Sequence, residues 1–175
     1  MKTSSPSASA SSTSPYIKVK HSEIHGKGVF AARKIPQGTR IIEYTGTRIS
    51  SKEADKRAGL DPDNPHHTFF FSLESGKIID GGDGGGDARW INHSCAPNCE
   101  AQEEGKKVFI HALTDIKRGE ELSYDYGLVI DDKITKSLKQ DYACHCGAEA
   151  CRKTMLSLPK KKKKKKKKKT AKKKD

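Results

Sequence analysis

The feature that most constrains the fold is a series of short strand-like segments separated by glycine and proline. Apolar and polar residues alternate over residues 16–20, and residues 40–45 are rich in β-branched side chains, as strands are. Residues 69–71 and 77–79 flank Glu74-Ser75-Gly76, which predicts a β-hairpin. Strands without alternating helices indicate a mainly β fold and argue against a doubly wound parallel sheet.

Helices are expected to be few and short. Ser50-x-x-Glu53 has the pattern of a capping box, which would start a helix that Gly59 can end. Residues 131–140 are a second candidate helix, and the glycine-rich residues 81–86 predict a flexible connection. Further strands are predicted at residues 29–31, 106–110 and 121–124.

The two ends of the chain have compositions that cannot form a core. Residues 3–15 contain seven Ser, two Thr and two Pro, and such a segment cannot offset the entropy of ordering. Residues 160–174 contain 13 of the 35 Lys and Arg residues. We therefore predict disordered tails at 1–15, rich in Ser and Pro, and at 159–175, rich in Lys, around a nearly neutral folded part.

The sequence gives no sign of membrane insertion or export. No stretch approaches the roughly 20 apolar residues that cross a bilayer. No apolar segment follows Lys2 as it would in a signal peptide. We expect an intracellular protein with no membrane contact, in the nucleus or on chromatin in a eukaryote, and in the cytoplasm or nucleoid in a bacterium.

Five cysteines, all in the second half of the chain, favour a metal site over disulfides. Cys95 and Cys99 lie in HSCAPNC, and Cys144, Cys146 and Cys151 lie in CHCGAEAC. Their number is odd, and a reducing compartment disfavours disulfides. Thiolates bind structural zinc in sets of up to four. The alternative is a set of reduced, buried thiols.

Four motifs that occur in a fixed order resemble those of the SET-domain protein lysine methyltransferases. They are HGKGVFA at 25–31, RWINHSCAPNC at 89–99, GEELSYDYG at 119–127 and CHCGAEAC at 144–151. The resemblance implies a SET fold: small curved sheets, a threaded, pseudoknot-like C-terminal segment and a zinc-bound post-SET loop. It assigns residues 16–128 to the SET domain and 129–158 to a linker and post-SET zinc segment. No cysteine precedes Cys95, so a Cys-rich pre-SET region is not part of the match.

The resemblance implies that S-adenosylmethionine is the cofactor. It assigns cofactor contacts to six residues: Gly26, Lys27, Gly28, Arg89, Asn92 and His93. Glycine lacks a Cβ, so Gly26 and Gly28 would let the chain approach a ligand closely. A simple turn is the alternative for the glycines, and a buried polar pair is the alternative for Asn92 and His93.

The resemblance also implies a catalytic tyrosine and a substrate channel. The catalytic residue would be Tyr126, and Tyr124 lies where the family alternates Phe and Tyr. A hydroxyl at Tyr124 could hold a water that limits the number of methyl groups on the product. Tyr44, Phe69 and Phe71 would form other walls of the channel. Residues two apart share one face of a strand, so two half-buried strand aromatics are the alternative.

The resemblance further implies a ligand set for one zinc ion: Cys95, Cys144, Cys146 and Cys151. Zinc there would tie residues 144–151 down over the active site. Cys99 would be a spare thiol, and His145 is a competing candidate ligand.

The activity implied is S-adenosylmethionine-dependent methylation of a lysine side chain in a protein. A lysine ammonium, with a pKa of about 10.4, is not a nucleophile, and a narrow apolar channel disfavours its charged form. The substrate is expected to be a basic, DNA-associated protein such as a histone, with mono- or dimethyl-lysine as the product. The alternatives are a non-catalytic, zinc-stapled module that binds chromatin or nucleic acid, and methylation of another amine.

The C-terminal lysines predict a nucleic-acid partner. The segment from Lys160 to Lys174 begins with ten consecutive lysines. Such a block repels itself, stays extended and binds phosphates through counterion release. The alternatives are nuclear targeting, a purely solvating tail, or a substrate for the enzyme's own activity.

Overall fold

The computed structural model describes residues 13–58, 68–130 and 133–158. Within these ranges, the ten strands are β1 (Ile17–His21), β2 (Lys27–Ala31), β3 (Arg40–Tyr44), β4 (Thr47–Ile49), β5 (Phe70–Ser72), β6 (Ile78–Asp80), β7 (Asn92–His93), β8 (Cys99–Glu104), β9 (Lys107–Ala112) and β10 (Ser123–Tyr124). The helices are α1 (Ser51–Arg57), α2 (Lys136–Asp141) and a 3-10 turn at Asp87–Trp90. The fold is therefore mainly β with short helices, as predicted.

The strands form four small sheets within the described residues. β1 pairs with β2, β3-β9-β8 and β4-β6-β5 form two three-stranded sheets, and β7 pairs with β10. Every pairing is antiparallel except that of β7 with β10, which is parallel. Three of these six pairings, β1–β2, β5–β6 and β8–β9, join strands that are consecutive in sequence, and the described strands form no doubly wound sheet.

Local sequence signals account for several element boundaries. Ser50 caps α1, because its side chain accepts a hydrogen bond from the Glu53 backbone N–H at 3.2 Å. The predicted hairpin is β5–β6, and its turn contains Gly76 at φ +77°, a conformation that favours glycine. The second helix begins later than predicted, at Lys136 after the N-cap Thr135. The proposed stop at Gly59 lies outside the described residues.

The core is built mainly from β2, β3 and β9 and from the segments before β7 and β10. Its most buried side chains are apolar: Val29, Ile35, Ile91, Val108, Ile110, Ile116 and Leu122. The segment before β10 is held against β2, because the Leu122 N–H donates to the Val29 carbonyl at 2.7 Å. Burial of this segment fixes the position of the tyrosines that follow it.

The parallel pairing of β7 with β10 brings two distant motifs together. Asn92 is paired with Ser123, and His93 is paired with Tyr124. Asn98, which follows β7 in sequence, also binds the backbone at β10. Its Nδ2 donates to the Glu121 carbonyl, and its Oδ1 accepts from the Ser123 N–H, both at 2.9 Å. The INHS and SYDY segments therefore lie side by side.

The predicted tails lie mostly outside the described residues, which exclude 1–12 and 159–175. Ser14 is described, and its hydroxyl donates to the Ile41 carbonyl at 2.6 Å. Among the described residues, no helix is long and apolar enough to cross a membrane.

Candidate active site

A cleft of about 1830 Å³ runs past the turn between β1 and β2, the segment before β7 and the C-terminal segment. Most of the predicted cofactor and channel residues line it: Gly26, Lys27, Tyr44, Phe69, Phe71, Arg89, Asn92, His93, Tyr124 and Tyr126. Gly28 does not line the cleft. Cys144 and His145 line it from the C-terminal side.

The structure gives different explanations for the two glycines of the HGKG segment. Gly26 is at φ +46° in the β1–β2 turn, and the space beside it is open. Gly28 lies in β2, where an added Cβ would be 2.3 Å from Glu121 Oε1 and 2.8 Å from Ser22 Cβ. Gly28 therefore makes room for the protein's own side chains, whereas close approach of a ligand was the reason expected from the sequence.

Asn92 joins the β1–β2 turn to the centre of the site. Its Nδ2 donates to the Lys27 carbonyl at 3.1 Å and to Glu121 Oε1 at 2.9 Å. The residue is 9% exposed and still lines the cleft. Asn92 can therefore be both a hydrogen-bonded buried polar residue and a contact for a ligand in the cleft.

Two cations flank the indole ring of Trp90 in the cleft. Lys27 Nζ lies 4.6 Å and Arg89 Cζ 4.8 Å from the ring centroid, within the range of cation–π attraction. An Arg89 nitrogen also donates to the Gly81 carbonyl at 3.1 Å. The arrangement places two positive groups at one end of the cleft, where they suit an anionic ligand group.

The predicted catalytic and channel aromatics meet in space. The rings of Tyr124 and Tyr126 have centroids 4.9 Å apart, although Tyr126 lies beyond the end of β10. The Tyr126 hydroxyl donates to the Ile91 carbonyl, and the Tyr44 hydroxyl donates to the Phe69 carbonyl, both at 2.7 Å. Burial raises the pKa of both hydroxyls above the usual value for tyrosine, so they remain protonated donors at neutral pH.

A second, smaller cavity of about 360 Å³ lies on the other side of the tyrosines. Its lining includes Pro97 and Glu100. Phe71, Tyr124 and Tyr126 line both this cavity and the cleft. These three rings therefore form a shared wall between the two spaces.

The four predicted zinc ligands converge. Their Sγ atoms, from Cys95, Cys144, Cys146 and Cys151, all lie within 4.8 Å of one another. Cys95 Sγ is 3.8 Å from Cys144 Sγ and 3.9 Å from Cys151 Sγ. A tetrahedral zinc with Zn–S bonds of about 2.3 Å requires sulfur separations of about 3.8 Å, so this donor set fits zinc.

The surroundings act differently on the sulfurs, because burial raises the pKa of both Cys95 and Cys144. Burial opposes ionisation of Cys146, but the backbone N–H groups of Cys95 and Ala148 help to lower its pKa to about 6. Cys99 is 1% exposed and is not part of the cluster, and burial raises its pKa to about 12. His145, the competing candidate, is not part of the cluster either.

His93 connects the cysteine cluster to Tyr126. The Tyr126 backbone N–H donates to His93 Nδ1 at 3.1 Å, so Nδ1 is an acceptor and Nε2 carries the proton. Nε2 lies 3.5 Å from Cys95 Sγ. Burial lowers the pKa of His93, which keeps the ring neutral in this arrangement.

The sequence profile of a known family covers most of this site. The family model described as "SET domain" matches residues 26–127, more than half of the chain. The chain belongs to the SET-domain family. The SET match contains all predicted cofactor and channel residues together with Cys95, whereas Cys144, Cys146 and Cys151 follow it.

Curated relatives of the SET domain are much longer proteins. Human histone-lysine N-methyltransferase 2D is 37% identical over 143 residues, which are 79% of this chain and 2% of that protein. Human histone-lysine N-methyltransferase 2B is 39% identical over 141 residues, or 78% of this chain and 5% of that protein. The set-2 enzyme of Caenorhabditis elegans is 39% identical over 142 residues, or 78% and 9%. The chain thus spans less than a tenth of the length of these relatives.

A solved structure supports the same fold. The crystal structure of KRYPTONITE in complex with mCHG DNA and SAH superposes with a TM-score of 0.63 at 30% identity. The match covers 79% of this chain and 28% of that one. The SET fold predicted from the four motifs is therefore confirmed.

The residues of the site that were not predicted from the sequence include Trp90, Glu121 and Asp125. Trp90 is the only tryptophan and stands inside the RWINHS motif, so its position was a usable signal. Glu121 and Asp125 stand inside GEELSYDYG, but their partners are distant in sequence.

Proposed function

We propose that this SET domain is a protein-lysine N-methyltransferase that uses S-adenosylmethionine. The proposal rests on the wall of three aromatic rings that separates the cleft from the smaller cavity. The curated relatives are named as histone-lysine N-methyltransferases, and SAH in the related solved structure is the compound left when S-adenosylmethionine loses its methyl group. The substrate class proposed is a histone or another basic, chromatin-associated protein.

The residues of the cleft fit the cofactor's chemical groups. Lys27 and Arg89 would hold the carboxylate, because they are the cations beside Trp90. Asn92 and His93 would contact the amino-acid and nucleoside portions from β7, and the open turn at Gly26 leaves room for them. When bound, the cofactor supplies an electrophilic methyl group on a positively charged sulfur.

The aromatic wall would prepare the target lysine for attack. At about pH 7.4, deprotonating an amine of pKa about 10.4 costs roughly 4 kcal/mol in water. Desolvation among Tyr44 and the three rings of this wall disfavours the ammonium and reduces that cost. The neutral amine then needs to be aligned, and alignment is the main contribution of a rigid channel.

Tyr126 would orient the amine and would not act as its base. Its hydroxyl hydrogen is used in the bond to the Ile91 carbonyl, so the oxygen lone pairs are left to accept an N–H from the lysine. Burial raises the pKa of this hydroxyl, which rules out a tyrosinate at neutral pH. We propose that the proton leaves the lysine through water.

We propose that Tyr124 limits the product to mono- or dimethyl-lysine. The residue is 8% exposed, and its ring packs on that of Tyr126. A hydroxyl at this position can hold a water beside the target nitrogen, and that water occupies the volume of a further methyl group.

The four clustered cysteines would hold one zinc ion with a structural role. Four thiolates fill a tetrahedral zinc and leave no position for a substrate. The segment from Cys144 to Cys151 would be tied to Cys95, and through His93 to the backbone of Tyr126. Zinc would therefore stabilise one side of the cleft.

The lysine-rich tail at 160–174 is proposed to bind nucleic acid and so to keep the enzyme near chromatin in the nucleus. This proposal rests on the charge of the segment alone, because these residues lie outside the described part of the chain.

A labelling experiment tests the proposed activity. The full chain is incubated with methyl-labelled cofactor and either core histones or a nuclear extract, and labelled peptides are identified by mass spectrometry. We expect label on lysine in the wild-type reaction and almost none with Tyr126→Phe. Wild-type protein that binds both SAH and zinc but labels no protein would instead support the non-catalytic module.

A further inference from the structure

We infer that Glu121 is a positioning residue that fixes which side-chain atom Asn92 presents to the cofactor cleft. The inference rests on the proposed cofactor and assigns a role to a carboxylate that the proposed mechanism does not use. Its basis is a hydrogen-bonded group of three side chains, Ser22, Asn92 and Glu121, of which Asn92 lines the cleft.

Glu121 is held rigidly by its backbone. It forms a β-bridge with Phe30 of β2, and its carbonyl accepts the Asn98 amide at 2.9 Å. Its carboxylate extends into the space where Gly28 lacks a Cβ. Contacts that do not involve Asn92 therefore place the carboxylate next to the Asn92 side chain.

Glu121 Oε1 accepts two hydrogen bonds at once. The Ser22 hydroxyl donates to it at 2.7 Å, and Asn92 Nδ2 donates at 2.9 Å. Since the Ser22 hydrogen is used by Glu121, the Ser22 oxygen can only accept from Asn92 Nδ2, which lies 3.2 Å away. Ser22 is 3% exposed, so water does not compete freely for its hydroxyl.

The neighbours of Asn92 therefore permit a single amide orientation. Glu121 Oε1, the carbonyls of His25 and Lys27 and the committed Ser22 oxygen are all acceptors, and within the described residues each hydrogen bond of this side chain runs through Nδ2. A flipped amide would point Oδ1 at four acceptor oxygens. The orientation seen leaves Oδ1 as the atom available to a ligand, which must then be a hydrogen-bond donor.

In the proposed cofactor, we assign the ammonium of the amino-acid portion as the donor to Oδ1, because Asn92 bonds the carbonyl of Lys27, whose side chain would hold the neighbouring carboxylate. The cofactor's carboxylate would repel Oδ1, but the cations Lys27 and Arg89 flank Trp90 elsewhere in the cleft and can take it. Glu121 would thus act through Asn92, by keeping the acceptor turned outward.

The test compares two ligands that differ only in the ammonium: SAH and deamino-SAH, in which hydrogen replaces the amino group. Dissociation constants are measured by calorimetry or by the fluorescence of Trp90, the chain's only tryptophan, which lines the cleft. In Glu121→Met, the charged acceptor is lost and the Ser22 hydroxyl is released to donate to Asn92 Oδ1, so only the carbonyls of His25 and Lys27 still oppose a flipped amide. We expect the Kd for SAH to rise about tenfold, equivalent to about 1.4 kcal/mol. The Kd for deamino-SAH should change by less than about twofold.

Controls separate positioning from general damage. Glu121→Gln keeps an acceptor and should restore most of the SAH affinity. If Glu121→Met does not fold, Glu121→Ala is the test variant, because it removes the acceptor without adding volume beside Gly28. Glu120→Gln changes an exposed carboxylate that binds the Lys117 N–H and should leave both constants unchanged. In an Asn92→Ala background, Glu121→Met should have no further selective effect on SAH.

Three results would overturn the inference. Equal loss of affinity for both ligands would mean that Glu121 only supports the cleft. A selective loss that persists with Asn92→Ala would mean that the carboxylate acts directly on the ammonium. No loss in Glu121→Met would remove Glu121 from recognition. Wild-type protein that fails to bind SAH would overturn the proposed cofactor itself, a separate outcome that the wild-type titration shows first.

Discussion

Arg152 holds Asp125 with two parallel hydrogen bonds, at 2.6 and 2.9 Å. Asp125 stands between Tyr124 and Tyr126, and Arg152 follows Cys151 of the cysteine cluster. The side chain of Arg152 is 27% exposed, and that of Asp125 is 37% exposed. The pair therefore fastens the C-terminal segment directly to the tyrosines of the site, independently of the metal.

Breaking this pair should affect activity more than stability. Arg152→Ala is expected to lower the free energy of unfolding by only about 1 kcal/mol, because solvent screens a partly exposed ion pair. We expect kcat/KM to fall about tenfold, because the tyrosines lose a support and small displacements are costly in alignment. Zinc content should not change. Lys139→Ala, an exposed change on α2, is the matched control, and equal activity of the two variants would contradict the prediction.

Tyr126→Phe should reduce kcat by at least about a hundredfold, since the oxygen that orients the amine is removed. Binding of SAH, followed by Trp90 fluorescence, should remain within about twofold of wild type. Burial raises the pKa of Tyr126, so its hydroxyl does not ionise between pH 7 and pH 9. The rise of kcat/KM with pH, which reflects lysine deprotonation, should therefore have the same shape in both proteins. A change in its slope would indicate that Tyr126 takes the proton.

Tyr124→Phe should change the product and leave the first transfer active. Without the hydroxyl, the water beside the target nitrogen is held less firmly and a further methyl group fits. A mass-spectrometric time course on one histone peptide, at saturating cofactor, should show trimethyl-lysine accumulating only in the variant. Abundant trimethyl product from the wild type would show that Tyr124 is not the limiter.

Purified protein should contain close to one zinc per chain. Cys144→Ser should lose the metal and lower the melting temperature, because three thiolates bind zinc less tightly than four. Cys99→Ser is the matched control and should keep its zinc, since Cys99 is outside the cluster. Metal analysis that finds no zinc in fresh wild-type protein would contradict the four-cysteine site.

The lysine tail should account for most of the affinity for DNA. Replacing the 13 lysines of residues 160–174 with serine keeps the length and removes the charge. We expect the log–log salt slope of roughly −5, from about six neutralised phosphates, to be nearly lost. Activity on a short peptide should be unchanged. An unaltered slope would place the DNA contact on the folded part.

The sequence by itself determined the features that depend on neighbouring residues. Ser50 and Glu53 predicted the start of α1, and the glycine of Glu74-Ser75-Gly76 predicted the hairpin, because caps and turns are settled within a few residues. The ordered motifs also indicated the SET family and the four cysteines that converge.

The tertiary structure decided which residues of those motifs contact one another. Glu121 binds the hydroxyl of Ser22 across 99 positions of sequence, and only this contact explains why Gly28 is glycine. Arg152 reaches Asp125 across 27 positions, and nothing local to either residue marks its partner. Such contacts depend on how buried strands bring distant segments together. A local pattern of residue types does not show which distant segments will meet.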